Sequence, residues 1–170
     1  MKKISLETLC VQAGYEPKNG QARIAPIYQS TTYKYDSADE VANLFDLKQE
    51  GHIYSRISNP SLDFFEKKMT ALEGGIGALA TSSGQSATLL AILTICRNGD
   101  HILAFNNLYG GTFTLINSTL ENFGIKTTFV DLDATDDEIE KEIKNNTKLI
   151  FAESLGNPGV RVLDIERFAN

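Results

Sequence analysis

Gly77-Ala78-Leu79-Ala80-Thr81-Ser82-Ser83-Gly84-Gln85-Ser86-Ala87 joins two kinds of local structure. Its first five residues are small and mostly apolar and predict a strand. Ser82-Ser83-Gly84 predicts a turn, and the apolar run from Gln85 to about Arg97 predicts a helix. The alternation repeats downstream. Asn98-Gly99-Asp100 is a turn and His101-Ile102-Leu103-Ala104-Phe105 a buried strand. A helix is expected over residues 110–122, stopping before Gly124, then a strand over 125–130. Thr135-x-x-Glu138 caps a further helix to about residue 145. Lys148-Leu149-Ile150-Phe151-Ala152-Glu153 is another strand, followed by a turn at Gly156-Asn157-Pro158-Gly159. Strands alternating with helices of this length predict βαβ units, an α/β fold with a largely parallel sheet between helices.

Upstream the pattern changes. Asn59-Pro60 is an N-cap followed by proline at the first helical position. Leu62, Phe65, Met69 and Leu72 then recur at helical spacing until Gly74-Gly75. An earlier helix is expected from Ser37, where Ser37-x-x-Glu40 can form a capping box ahead of Val41, Leu44 and Phe45, fading near Gly51. The first 33 residues show no sustained helical period and carry the turn formers Gly14, Pro17, Asn19-Gly20 and Pro26. They predict an extended arm that cannot bury itself and must lie on something else, most simply another subunit. At the other end, Asp164-Ile165-Glu166-Arg167-Phe168-Ala169-Asn170 predicts the first turns of a helix with no returning strand. A parallel sheet needs both faces covered, so a truncated chain is expected.

The chain has 170 residues, 16 basic and 22 acidic, for a net charge of −6. A nucleic-acid footprint needs a clustered Lys/Arg excess, which this balance lacks. With 42% hydrophobic and 22% charged residues, the composition is that of a folding chain rather than a disordered one. No apolar stretch approaches the roughly 20 residues that span a bilayer. No secretory signal is visible at Met1-Lys2-Lys3-Ile4-Ser5-Leu6-Glu7. The two cysteines, Cys10 and Cys96, are too few for a disulfide framework. The expected setting is the cytoplasm.

Four segments can carry chemistry. The turn at Ser83-Gly84-Gln85 opens a helix, where free backbone N–H groups and the positive helix end suit a phosphate. An ordinary serine N-cap explains the same residues equally well. Tyr54-Ser55-Arg56 places a phenol and a guanidinium two residues apart; in an extended segment both point one way and can reach one anion. A surface ion pair is the simpler alternative. Tyr109, on the glycine-rich connection Leu108-Tyr109-Gly110-Gly111-Thr112, can stack on a planar ligand or simply pack at a helix start. Glu153-Ser154-Leu155-Gly156-Asn157-Pro158 follows a strand on the side where α/β sheets gather ligands, though a polar turn accounts for it too.

Other chemistries fit less well. Gly75-x-Gly77-x-x-Ala80 matches a dinucleotide fingerprint, but its glycines end a helix and lead into a strand, the reverse of what that motif requires. His52, His101, Cys10 and Cys96 show no metal-ligand spacing, so no metal site is expected. His101 reads as a satisfied structural residue. Ser82 and Ser83 lack the Gly-x-Ser-x-Gly setting of a hydrolase nucleophile, and a P-loop lysine is missing. The acidic run over residues 131–138 reads as a solvated loop and helix start.

Taken in order, six motifs resemble the pyridoxal-phosphate-dependent enzymes of cysteine and methionine metabolism, of aminotransferase-like fold type I. They are Pro26-Ile27-Tyr28-Gln29-Ser30-Thr31-Thr32-Tyr33, Ile53-Tyr54-Ser55-Arg56-Ile57-Ser58-Asn59-Pro60 and Ala71-Leu72-Glu73-Gly74-Gly75, then Ala80-Thr81-Ser82-Ser83-Gly84-Gln85-Ser86-Ala87, Leu108-Tyr109-Gly110-Gly111-Thr112 and Glu153-Ser154-Leu155-Gly156-Asn157-Pro158. The forms Tyr109-Gly110-Gly111 and Glu153–Pro158 resemble the O-acetylhomoserine sulfhydrylase branch more than the γ-lyases.

The resemblance implies an arm and helix over residues 1–58 that contact a neighbouring subunit, and an incomplete pyridoxal-phosphate-binding domain over 59–170. It implies that Ser83, Gly84 and Gln85 hold the cofactor phosphate and that Tyr54 and Arg56 reach it from a neighbouring subunit, in at least a dimer and typically a tetramer. Tyr109 would stack on the pyridine ring and assist proton transfer, and Asn157 would lie near the phenolic oxygen and the substrate carboxylate. The implied reaction is γ-replacement: sulfide or another thiol displaces acetate from O-acetylhomoserine, a small-molecule substrate. A cystathionine γ-synthase or methionine γ-lyase type remains an alternative, as does a non-catalytic fragment. The lysine that carries the cofactor, the aspartate at its ring nitrogen and the arginine for the substrate carboxylate would all lie beyond Asn170. The 170 residues are therefore expected to hold about half a site, to be inactive alone, and to aggregate through an unpaired sheet edge.

Overall fold

The computed structural model describes residues 4–169, and the chain divides into two compact units, Met1–Ala80 and Thr81–Asn170. Met1-Lys2-Lys3 and Asn170 of the expected termini lie outside the described residues.

In the first unit the arm is not wholly extended. A short helix α1 (Leu6–Gln12) is capped by Ser5, whose side chain accepts the Thr8 N–H, and it packs against α3 (Pro60–Glu73). Lys68 on α3 donates to the Cys10 carbonyl at 3.2 Å, and the Tyr15 ring lies 4.8 Å from that of Phe64. Seven residues with no buried side chain give too short a period to read from sequence, and tertiary contact rather than propensity holds them helical. The expectation of bareness fares better, since none of residues 4–33 is buried, with Ile24 82% and Ile27 80% exposed.

Helix α2 (Ala38–Phe45) starts at Ser37, whose hydroxyl accepts the Glu40 N–H at 3.2 Å. The expected capping box is displaced by one residue, because the Glu40 carboxylate takes the N–H of Asp36 instead of that of Ser37. The helix stops at Phe45 rather than near Gly51, since Leu47 adopts a left-handed φ of 57° and turns the chain out. Helix α3 begins and ends as its sequence predicts. The Asn59 side chain accepts the Ser61 N–H at 2.8 Å, Pro60 occupies the first turn, and Gly74 takes the left-handed C-cap at φ 65°.

The second unit is an α/β layer structure. Helix α4 (Gly84–Ile95) leads to β1 (His101–Phe105), then α5 (Gly110–Thr114), β2 (Lys126–Val130), α6 (Asp136–Glu142), β3 (Thr147–Phe151) and α7 (Ile165–Ala169). The three strands are parallel in the order β2-β1-β3. Every residue of β1 is buried, as expected of the central strand. Its side chains alternate between two cores. Ile102 and Ala104 join Ile92 and Cys96 of the α4 side with Ile116 and Leu120, whereas Leu103 and Phe105 join Val130, Leu132 and Ile139 on the other. The connection β1 to β2 runs one way along the sheet and β2 to β3 runs back past β1. Right-handed crossovers in opposite directions must cover opposite faces, and the two cores are arranged so.

Two expectations fail here. Residues 77–81 form no strand. Small apolar composition permits a strand, but only a pairing neighbour makes one. The Ala80 N–H is taken instead by the Glu66 carboxylate at 2.7 Å. The helix expected over 110–122 is α-helical only for α5, continues as a π-turn over Leu115–Thr119 and ends as a 3₁₀ turn over Leu120–Phe123. Gly124 closes it at φ 76°, where a side chain would strike the Asn98 amide.

Candidate active site

Strand β1 sends its connection away toward β2 while β3 flanks its other side. The carboxyl ends of β1 and β3 therefore border a switch point, the place where open α/β sheets bind ligands. The loops leaving those two strands, with the start of α4, bring most of the candidate residues together.

The start of α4 is an open anion cradle. The Ser83 hydroxyl accepts the Ser86 N–H at 3.1 Å and lies 2.9 Å from the Ser86 hydroxyl. The N–H groups of Gly84 and Gln85 cannot bond within their own helix, and no described residue accepts them. A Cβ on Gly84 would meet nothing within 4 Å and its φ is not left-handed, so neither backbone nor neighbours call for glycine there. The open space leaves room for an external group to approach the backbone. The Gln85 side chain turns aside to donate to the buried Thr112 hydroxyl at 3.1 Å, which ties the cradle to α5.

Tyr109 is the N-cap of α5 and is 49% exposed. Its ring folds over Gly111, where a Cβ would come within 2.6 Å of it. Its N–H donates to the Glu153 carboxylate at 3.0 Å. The Asn107 amide donates to the Glu153 carbonyl at 3.2 Å, while the Asn107 Oδ1 is buried with no protein donor among the described residues. Gly156 is buried against this amide; a Cβ there would stand 2.7 Å from the Asn107 carbonyl. Asn157 follows, exposed in the turn between Leu155 and Val162, which pair as an antiparallel bridge. The free N–H groups at the start of α4 can take an anion and the exposed Tyr109 ring can stack on a planar group, the two features that a phosphate ester of a planar ring would use.

Tyr54 and Arg56 belong to the first unit. The segment is a turn, not the extended run the sequence suggested: the N–H groups of Ile57 and Ser58 both bond the Tyr54 carbonyl, at 2.8 and 3.0 Å. The two side chains are nevertheless paired, with the guanidinium carbon 5.3 Å from the Tyr54 ring centroid. Tyr54 also bridges Thr32, and the Asn59 amide holds the turn by donating to the Tyr28 carbonyl and the Ser55 hydroxyl, each at 3.0 Å.

Three polar residues of the site have no role readable from the sequence: Asn107 lies outside the motifs, and Thr112 and Glu153 lie inside two of them with no part of their own assigned. The contacts of Asn107 and Glu153 depend on β3 lying beside β1, and that of Thr112 on α4 meeting α5, facts of tertiary arrangement that no local pattern states. The acidic run needs a correction. Asp131 is more than a solvated loop residue, since it accepts the Asp133 N–H at 2.9 Å, the Asn106 amide at 2.9 Å and the Arg161 guanidinium at 3.2 Å. These bonds hold its carboxyl down at about 2. Arg161 thereby anchors the hairpin that carries Asn157, and its carbonyl accepts the Gly156 N–H at 2.8 Å. His101, as expected, is satisfied: its ring nitrogens lie 2.8 Å from the Thr147 hydroxyl and 2.9 Å from that of Thr128. Among the described residues no helix is long and apolar enough to cross a membrane.

A parallel sheet with free N–H groups at a helix start and an exposed tyrosine on the loop leaving its central strand is the layout of a cofactor-binding α/β protein. The Cys/Met metabolism PLP-dependent enzyme family matches residues 7–170, and the chain belongs to that family. It is 45% identical over 164 residues to the homocysteine synthase of Schizosaccharomyces pombe, covering 96% of this chain and 38% of that protein. It is 44% identical to O-acetyl-L-homoserine sulfhydrylase 1 of Thermus thermophilus, covering 96% of this chain and 39% of that one. A solved structure of a Campylobacter jejuni protein assigned as an O-acetylhomoserine (thiol)-lyase superposes with a TM-score of 0.87 at 39% identity. It covers 98% of this chain and 41% of that one, and contains N'-pyridoxyl-lysine-5'-monophosphate. The chain thus spans about two-fifths of the length of the curated relatives it matches.

Proposed function

We propose that the full-length protein catalyses γ-replacement at O-acetylhomoserine by sulfide, giving homocysteine and acetate. The observation that carries this reading is the meeting of the α4 start, Tyr109 and the Glu153–Asn157 loop at the carboxyl ends of β1 and β3. It is supported by relatives named for homocysteine synthesis and for O-acetylhomoserine sulfhydrylation. Bound pyridoxal phosphate supplies an electron sink that lets protons leave Cα and Cβ and acetate leave Cγ.

In this reading the chain's own residues bind and orient. Ser83, with the N–H groups of Gly84 and Gln85, holds the phosphate. Tyr109 covers the pyridine ring and brings its hydroxyl to where a proton moves near the substrate. Asn157 bonds the phenolic oxygen and the substrate carboxylate. Tyr54 and Arg56 supply a phenol and a cation to the phosphate of a neighbouring subunit, so the working unit is at least a dimer and, by analogy, a tetramer. Residues 1–58 are the intersubunit arm and 59–170 the cofactor-binding part; the bare apolar side chains of the arm support this division. The compartment is the cytoplasm.

The test is product analysis of the full-length protein with pyridoxal phosphate. Homocysteine from O-acetylhomoserine and sulfide is expected. Release of α-ketobutyrate from methionine, without homocysteine synthesis, would assign it to the γ-lyases instead. Mixing subunits that carry Arg56→Ala with subunits that carry Ser83→Ala should restore some activity, because one hybrid site then has both phosphate holders intact. Failure to recover any would count against the shared site.

A further inference from the structure

The Glu153 carboxylate is given no chemical role in the function proposed above, yet among the described residues it makes the one hydrogen bond that refers Tyr109 to the sheet. We infer that Glu153 is a positioning residue that sets the Tyr109 ring over the cofactor ring. The inference rests on the reading that this site takes pyridoxal phosphate.

Tyr109 is poorly placed to hold itself. It caps a helix of five residues without a side-chain capping bond, and Gly110-Gly111 follow it, the pair of residues with most backbone freedom. Its hydroxyl has no protein partner among the described residues, and its ring is about half exposed. The orientation of the ring must therefore come through the main chain. Glu153 supplies that fix. It stands just past β3, beside β1, and its Oε2 accepts the Tyr109 N–H at 3.0 Å in a charge-assisted bond. Its own backbone is pinned in turn, since its carbonyl accepts the Asn107 amide at 3.2 Å and Gly156 packs on Asn107. On the far side of the glycine pair, Gln85 holds Thr112 at 3.1 Å. The flexible connection is thus fastened at both ends, and Glu153 is the fastening next to the ring.

Two probes separate this role from general damage. Inorganic phosphate touches the cradle alone, whereas pyridoxal phosphate also needs the ring seat. In the full-length protein stripped of cofactor, Glu153→Leu should weaken pyridoxal phosphate by about tenfold or more, the effect of losing one charged hydrogen bond. Inorganic phosphate should bind that variant as it binds the unsubstituted protein. Glu153→Gln keeps an oxygen acceptor and should recover most of the affinity, together with the circular dichroism of the bound chromophore. Should Glu153→Leu fail to fold, Glu153→Asp serves in its place, because its carboxylate is one methylene short of the N–H and should show the same selective loss. Equal weakening of both probes, no weakening of either, or a Gln variant no better than Leu would overturn the inference. An unsubstituted protein that binds inorganic phosphate but not pyridoxal phosphate would instead bring down the cofactor reading, and this inference with it.

Discussion

His101 sits 1% exposed at the start of the central strand, with one ring nitrogen facing a hydroxyl on β2 and the other a hydroxyl on β3. Burial lowers its pKa first, the nearby Lys144 lowers it further, and Glu142 opposes both. The folded ring is therefore neutral where an unfolded histidine would begin to bind a proton. The stability it contributes is complete above about 6.5 and is lost as pH falls below that value toward the lower folded pKa. Replacement by His101→Leu removes both bonds, while Lys144 still donates to each hydroxyl, at a cost of about 2 kcal/mol near neutrality. Chemical denaturation at pH 7 and pH 5.5 should show that gap narrowing in acid; a constant gap would mean that the ring is not held neutral. Asp131 follows the opposite chemistry to the same sign. Its folded carboxyl lies at about 2, so its contribution is present above the ordinary aspartate value and disappears as pH falls through the range down to about 2. Asp131→Asn, which keeps the shape and drops the charge, should flatten the acid limb of the stability profile between about pH 4 and pH 2.

Elements show where local chemistry suffices and where it does not. Thr135 and Glu138 form the full capping box of α6, with the Glu138 carboxylate accepting the Thr135 N–H at 2.8 Å, and both residues announce it in the sequence. Asn59-Pro60 and Gly74 fix α3 in the same local way. A helix end is legible because its caps are neighbours in the chain. Residues 77–81 misled because a strand is defined by a partner, and partners are remote. The π-turn over Leu115–Thr119 is equally silent in sequence, since Leu115-Ile116-Asn117-Ser118-Thr119 holds no glycine or proline to mark a change of register. Ser83 lies between these cases. Its N-cap role is local, whereas its proposed use as a phosphate holder depends on what the sheet places opposite it. Ser83→Ala should cost about 1 kcal/mol through the lost cap and also weaken inorganic phosphate binding. Thr135→Ala should cost a similar amount, about 1 kcal/mol, and leave phosphate binding untouched. Calorimetric melts paired with phosphate titrations of both variants check this, and equal effects on binding would deny α4 its special standing.

On the scale of the molecule, the sheet has one fully buried strand flanked by two that are not. Ile150 on β3 is 46% exposed, and on α4 Leu90 and Ile95 are 49% and 51% exposed. Exposed apolar side chains beside an open strand edge favour association. The 170-residue chain on its own should therefore sediment as concentration-dependent oligomers or aggregates; a sharp monomer boundary at all loadings would contradict this. The fold class was readable from the alternation of strands and helices, and the candidate site segments stand out because the Ser83 turn, the Tyr109 connection and the Asn157 turn are each continuous in sequence. What joins them, the order β2-β1-β3 and the bond from Tyr109 to Glu153, is not. The central claim is that pyridoxal phosphate is held at the start of α4 beside Tyr109. Amide hydrogen exchange of the full-length protein, with and without the cofactor, tests it most directly. The account predicts slowed exchange at Gly84, Gln85 and Tyr109 on saturation, with no change at Gly75 and Gly77. Protection at Gly75 and Gly77 instead, or at none of these amides, would contradict it.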